Sequence, residues 1–278
     1  SNNIKKKGIF LGLDLNVKSL ENSLYYVVGK RIFKKTFKLN NAEELLLKKI
    51  THNGLVQEVH YERLREEKSL ESFNNNNKTY QKDEAEVYPY VNINNALNIP
   101  LVTTVNSNAD GTVSTQRFRY HGAVSHAKGL GFLGFKGLAR TNTFGEGVPR
   151  RWNISLHDPK KRGAITDSWN ASLASFNIPT QGYAQKKHYE YQTVLGPKKI
   201  FTNLVMAIDT DDHLLSGNNS LQTYNYDSYN NPERILTETE DGTTETHYKY
   251  INNPEGTGAT YHIGRLKSET VISTWNNK

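Results

Sequence analysis

The residues best equipped for chemistry in this sequence are its carboxylates, imidazoles and glycines, so their spacing decides whether any could act together. Asp209-Thr-Asp211-Asp212 could bind a hard cation through carboxylate oxygens, but the run lacks the glycine and distal glutamate of an EF-hand loop and reads as a polar turn. His121 and His126 flank Gly122 and could meet on one face, yet no histidine in the chain sits in a His-Glu-x-x-His or other zinc spacing. Gly129-Leu-Gly131-Phe-Leu-Gly134 matches Gly-x-Gly-x-x-Gly on paper, but no helix-forming segment follows to aim an N-terminus at a pyrophosphate. There is no Gly-x-Ser-x-Gly elbow, and the absence of cysteine removes thiolate nucleophiles, thiolate metal sites and disulfides. The expectation is therefore a chain with no catalytic, cofactor-binding or metal-binding residues.

Composition points the same way. The chain has 278 residues, 36% of them hydrophobic, and a mean hydropathy of -0.70. A compact helical enzyme of this length would carry more apolar side chains, whereas a thin sheet with a wetted face needs fewer. The formal charge of +7 is spread over short runs such as Lys34-Lys35, Lys160-Lys161-Arg162 and Lys186-Lys187. No RNP, zinc-finger or helix-turn-helix signature accompanies them, so no specific nucleic-acid binding is expected and the basic residues read as solubility. No apolar run is long enough to cross a membrane as a helix.

The elements that would position these residues are strands. Asn53-Gly54, Asp110-Gly111 and Asp241-Gly242 are hairpin dipeptides, each flanked by strand-like residues. A two-residue loop at Asp241-Gly242 sets Ile235, Thr237 and Thr239 opposite Tyr248, Thr246 and Thr244. The other face then carries Arg234, Leu236 and Glu238 against Lys249, His247 and Glu245, and its facing like charges imply that it is solvated. Before Asn53, the stretch Ala42 to Ile50 is expected as the partner strand. Residues 66–86, with Asn74 to Asn77, read as a long polar loop. Arg140 to Gln181 reads as a long connection whose Trp152, Trp169 and Phe176 anchor it against a sheet. Paired aromatics recur at Tyr88-Pro-Tyr90, Phe118-Arg-Tyr120, Tyr189-Glu-Tyr191, Tyr224-Asn-Tyr226 and Tyr248-Lys-Tyr250, each pair on one strand face. In Gly129 to Phe135, Phe132 and Phe135 are expected to pack while the three glycines allow bending.

These motifs carry a family resemblance. Tyr224-Asn-Tyr226-Asp227-Ser-Tyr229-Asn230-Asn231-Pro232, the following strand and turn, Tyr248-Lys-Tyr250, and Tyr261-His-Ile-Gly264-Arg265-Leu266 resemble the tyrosine-aspartate (YD) repeat of Rhs proteins. Phe118-Arg-Tyr120-His-Gly122 with Lys128 to Phe135, together with Leu47 to Gly54 and Tyr88-Pro-Tyr90-Val91, resembles the B component of insecticidal toxin complexes and SpvB-like proteins. Two departures stand out: Asn230-Asn231 replaces the usual glycine after the repeat's tyrosine, and Leu130 stands where relatives often have Arg. Asparagine tolerates positive φ nearly as well as glycine, so the first weakens only a turn assignment.

The resemblance implies an all-β fold, an extended antiparallel strip of hairpins and YD-type repeats within a coiled Rhs-like shell. It implies one continuous segment over residues 1–278, a fragment of a longer protein, with the repeats in 215–270. The implied role is structural: a secreted or cell-surface bacterial shell that encapsulates or presents a toxin or effector made by the rest of its polypeptide or by a cargo chain, with other shell or secretion components as further partners. The alternative is an adhesin that uses the same strip to bind glycans or proteins. Glu238-Thr-Glu240 has the spacing of the paired glutamates of arginine-specific ADP-ribosyltransferases, an activity some relatives carry at their far end. Here it lies on a hairpin strand with no Ser-Thr-Ser strand nearby, and the self-cleavage element that closes Rhs shells has no counterpart: His157-Asp158-Pro159 comes too early. The segment is expected not to be an enzyme.

Overall fold

The computed structural model describes residues 9–16, 21–28, 31–38, 46–65, 79–196, 200–214 and 219–276. Its strands in chain order begin with β1 (Ile9–Asn16), β2 (Glu21–Val28), β3 (Arg31–Lys38), β4 (Lys49–His52), β5 (Leu55–Arg65), β6 (Tyr80–Gln81), β7 (Tyr90–Ile93), β8 (Asn95–Ala109) and β9 (Thr112–His126). They continue with β10 (Gly131–Thr141), β11 (Trp152–Asp158), β12 (Ala164–Ala171), β13 (Tyr183–Leu195), β14 (Phe201–Asp212), β15 (Ser220–Tyr226), β16 (Pro232–Thr239), β17 (Gly242–Asn253) and β18 (His262–Trp275). Among the described residues, helical backbone is limited to the 3-10 turns Pro159–Lys161 and Gly258–Thr260. The fold is all-β and built from antiparallel hairpins, as expected. The chain divides into two compact units, residues 1–65 with 95–113, and residues 66–94 with 114–278.

In the first unit β1, β2 and β3 form an antiparallel meander, and β5 pairs antiparallel with β4 on one edge and β8 on the other. Asn53 and Gly54 join β4 to β5 with φ of 46° and 79°, the two positive values that a two-residue I′ turn requires. The strand expected over Ala42 to Ile50 is confined to Lys49–His52 among the described residues; Leu46 to Lys48 are not strand, and 39–45 lie outside the described residues. Consecutive Leu45-Leu46-Leu47 has no period-two alternation, so it lacked the pattern of a half-buried strand. Leu64 and Leu101 are the buried apolar anchors of this unit.

In the second unit every strand from β9 to β18 pairs antiparallel with the next. β6 adds parallel and β7 antiparallel to β9 near Tyr120 to His126. Of the polar stretch 66–86, residues 66–78 lie outside the described residues. Tyr80–Gln81 is built into the sheet, with the Tyr80 hydroxyl donating to the Ile93 carbonyl at 2.8 Å and accepting from the Ala123 N–H at 3.0 Å, while residues 82–86 lie outside any strand.

The core corrects one expectation. Arg140 to Gln181 is not a long connection: it contains β11 and β12, and Trp152 and Trp169 are strand residues buried with Ala139, Ile154 and Phe176. Trp152-Asn-Ile154-Ser-Leu156 and Trp169-Asn-Ala171 alternate apolar with polar, the signature of a strand with one covered face. Turn residues around them masked that period. Phe176, from the segment after β12, lies over Gly137, where an added Cβ would meet the ring at 2.5 Å. Glycine is present there for the close approach of the ring.

A second correction concerns the Asp241-Gly242 hairpin. Thr239 pairs with Gly242, so Glu240 and Asp241 form the loop, and Ile235 faces Thr246 instead of Tyr248. The shift is two residues, which preserves each residue's face but changes its partner. The expected opposition of Glu238 to Glu245 and Arg234 to Lys249 is thereby avoided, and Arg234 instead makes an ion pair with Glu245.

Candidate functional site

The candidate catalytic residues are dispersed. Glu238 is exposed opposite Thr243, and Glu240 lies in the turn, where its carbonyl accepts from Asn276 at 3.1 Å. Asp211 accepts from the Tyr183 hydroxyl and lies 3.7 Å from the Lys186 ammonium. Asp212 is buried, accepts from Gln185 at 2.6 Å and caps the Leu214 N–H at 2.8 Å, while Asp209 pairs in register with His188. Among the described residues no three metal-ligating side chains come together. His121 and His126 also stay apart: His121 stacks on Phe176 with ring centroids 5.3 Å apart, and His126 meets the edge of Tyr90 at 5.1 Å. Asp158 caps the 3-10 turn by accepting from the Lys160 N–H at 2.9 Å, which gives His157-Asp158-Pro159 a local structural use.

The glycine-rich stretch has the geometry its residues suggested. Gly129, Gly131 and Gly134 have φ of 98°, 70° and 101°, and the β9–β10 register slips between Phe132 and Gly134. That slip is a β-bulge, which bends and twists the strand. Phe135 then packs against Tyr120 at 4.9 Å and Phe132 at 5.6 Å. Beneath it lies a charged cluster that sequence reasoning missed. Lys136 donates to Asp83 and lies 2.5 Å from Glu86, whose second oxygen is 3.4 Å from Lys160. Burial disfavours charge on both Asp83 and Lys136, but their mutual hydrogen bond and charge attraction, with the Glu84 and Ala85 N–H groups on Asp83 and the Glu86 carboxylate on Lys136, together outweigh it, leaving the carboxyl below and the ammonium above their usual values. The two carboxylates are separated from the two lysines by roughly fifty residues or more, so no local sequence signal could join them.

The basic run Lys160-Lys161-Arg162 is likewise more than a solvated surface. The three cations sit over the rings of Tyr90, Tyr191 and Phe201 at 5.4, 5.8 and 5.2 Å. Each such contact contributes on the order of 0.5–1 kcal/mol at exposed sites. One turn thus clamps the rings of β7, β13 and β14.

The tyrosine motifs work through their hydroxyls. Tyr226 donates to the Val205 carbonyl at 2.7 Å and Tyr250 to the Pro232 carbonyl at 2.8 Å. Asp227 closes the loop between β15 and β16 by accepting from the N–H groups of Tyr229 and Asn231 at 2.8 and 2.9 Å and from the Asn231 amide at 2.9 Å. Burial raises the Asp227 carboxyl, but the bonds from Asn231, Tyr229 and Asn252 hold it below its usual range. Asn230 adopts φ of 66°, the left-handed conformation for which the missing glycine would otherwise be used.

On the face opposite Trp152, Ile154 and Trp169, the sheet forms a groove of about 590 Å³ lined by residues of β9 to β13. Phe118, Arg140, Asn153 and Asn170 stand directly opposite one another across four strands, with Leu138, Ser155 and Ser168 as the adjacent row. The His157 Nδ1 donates to the Gly163 carbonyl at 3.0 Å and its Nε2 lies 2.9 Å from the Ser155 hydroxyl. The alternation within β11 and β12 was the signal that could have revealed this row.

Residues 15–148 match the family model described as the insecticide toxin TcdB middle/N-terminal region. No curated protein matches the chain in sequence. The crystal structure of TcdB2-TccC3-Cdc42 is similar in fold, with a TM-score of 0.53 and 8% identity over 91% of this chain. The chain spans 16% of the length of that structure's matched chain. Residues 15–148 are thus similar in sequence to the middle/N-terminal region of the insecticide toxin TcdB, and the chain's all-β fold is similar to that of a toxin-complex structure over nine-tenths of its length.

Proposed function

We propose that this chain is a structural segment of an Rhs-type β-shell, secreted by a bacterium, that encapsulates or presents a toxin or effector polypeptide and performs no reaction of its own. The observation that carries this reading is how the aromatic side chains are used. Trp152 and Trp169 are 2% and 3% exposed within the sheet, and the Tyr226 and Tyr250 hydroxyls are spent on backbone carbonyls. An adhesin built on the same strip would hold those rings exposed for a partner, whereas a wall needs them between and along its strands. Tyr224 to Asn231, with Asp227 locking the loop, supports reading residues 215–270 as YD-type repeats of such a wall.

Electron microscopy of the full-length polypeptide that carries this chain, with trypsin digestion of the same sample, tests the proposal. A hollow body whose enclosed polypeptide resists cleavage until the body is unfolded is the expected result. A body with a filled hydrophobic interior, or an internal polypeptide cut as fast as a free peptide, would overturn it.

A further inference from the structure

The groove on β9 to β12 presents unused hydrogen-bonding groups. Arg140, Asn153, Asn170 and Ser168 make no hydrogen bond or ion pair through their side chains among the described residues, and no carboxylate lines the groove. Arg140, Asn153 and Asn170 are in register on adjacent strands, so their side chains are spaced about 5 Å apart. Phe118 continues the row beyond Arg140.

This set specifies a chemistry. A guanidinium with no acid beside it complements an anion, and its planar fork matches a carboxylate. Carboxamides both donate and accept, as do sugar hydroxyls, and their spacing suits hydroxyls on alternate rather than adjacent ring carbons. An aromatic ring at the end of the row offers a face to the C–H side of a pyranose. The volume lies within the range of small-ligand sites, roughly 300–1,000 Å³. Phosphate fits less well, since a single cation among neutral amides leaves most of its charge uncompensated. An extended peptide also fits less well: β10 and β11 are paired on both edges, so no backbone groups are free to receive a strand.

We propose that this groove binds a carboxylated saccharide of the uronic or sialic acid type, with Arg140 holding the carboxylate, Asn153 and Asn170 the hydroxyls, and Phe118 the ring face. This inference stands apart from the shell reading, since it rests on the face away from the tryptophans.

Titration of the purified chain with glucuronic acid and N-acetylneuraminic acid, followed by ligand-observed NMR, tests it, with glucose, acetate and a glutamate hexapeptide as comparison probes. At least one acid sugar is expected to saturate in the millimolar range, with glucose and acetate about tenfold weaker or more. Arg140→Gln should reduce the acid sugar to the level of glucose, and Asn153→Ala should weaken it several-fold. Because Arg140 is exposed, the variant's melting curve should match the parent's, and Arg140→Lys should retain part of the preference for acid over neutral sugar. The proposal fails if neither acid sugar saturates, if acetate or the hexapeptide binds as tightly, or if Arg140→Gln leaves binding unchanged.

Discussion

Two parts of the same meander are held together by different physics. In β10 to β12 the stabilising residues are buried apolar rings: Trp152, Trp169 and Phe176 are all below a tenth exposed and share one cluster with Ala139 and Ile154. In β15 to β18 the described apolar side chains are half-buried or exposed, Trp275 at 75%, and order comes from tyrosine hydroxyls, the Asp227 loop and the Arg234–Glu245 pair. A sheet can therefore change its cohesion along its length without changing its topology. Burial is sensitive to volume and indifferent to pH, while a loop closed by a carboxylate is the reverse.

Removing a core ring should break the comparison most severely. Trp169→Ala deletes a 3% exposed side chain from the centre of the cluster and should destabilise by about 3–5 kcal/mol, read as a lower denaturant midpoint. Unchanged stability would mean that the cluster does not hold β11 to β12. The next largest effect tests packing by addition. In Gly137→Ala the new methyl meets Phe176 at 2.5 Å, so a loss of about 1–3 kcal/mol is expected. Combining it with Phe176→Leu should recover part of that loss, because the two changes act on one contact; strict additivity would show that they do not.

These two residues also show what the sequence could reveal. Gly137 sits among strand residues with no turn signal, and its role depends on Phe176, thirty-nine positions later and outside any strand. No local period encodes such a contact. The opposite holds at Asn53-Gly54 and Gly134, where backbone φ is decided by residue type at the position itself, so the turn and the bulge were legible. The aromatic pairs from Phe118-Arg-Tyr120 onward were legible as strands, whereas Tyr88-Pro89 forms a turn and only Tyr90 of that pair lies in β7, as proline cannot donate to a ladder. The register of β16 on β17 was not legible, since a dipeptide names a turn without fixing which of its residues leave the ladder. In the groove, Asn153 and Asn170 were invisible as neighbours because their alignment exists only once β11 and β12 pair.

Acid should separate the two regions. Burial lowers the His121 imidazole, which stacks on Phe176 and faces Asp83 and Lys136, so the folded state favours its neutral form. Its contribution is complete above the ordinary value of about 6.5 and is lost as pH falls toward the lower folded value. Asp227 is also lowered, so its contribution is complete above the ordinary carboxyl value of about 3.9 and is lost only below it. Amide hydrogen exchange should therefore rise around Gly137 and Phe176 at mildly acidic pH, while residues 227–231 stay protected until stronger acid. Asp227→Ala, which strands the Tyr229 and Asn231 N–H groups, should cost about 1–2 kcal/mol at neutral pH and abolish the second phase. Simultaneous loss of protection at both places would contradict the separation.

The smallest expected effect bears most directly on the tyrosine motif. Tyr226→Phe and Tyr250→Phe keep the ring and remove only the hydroxyl that donates to Val205 or Pro232, so each should cost about 0.5–1.5 kcal/mol. The two bonds reach different strands, one from β15 back to β14 and the other from β17 back to β16, and share no partner. Their losses should therefore add in the double variant. If instead removing either hydroxyl costs nothing, the tyrosines hold these hairpins through ring area alone, and the difference between the two parts of the sheet reduces to how deeply each buries the same kind of side chain.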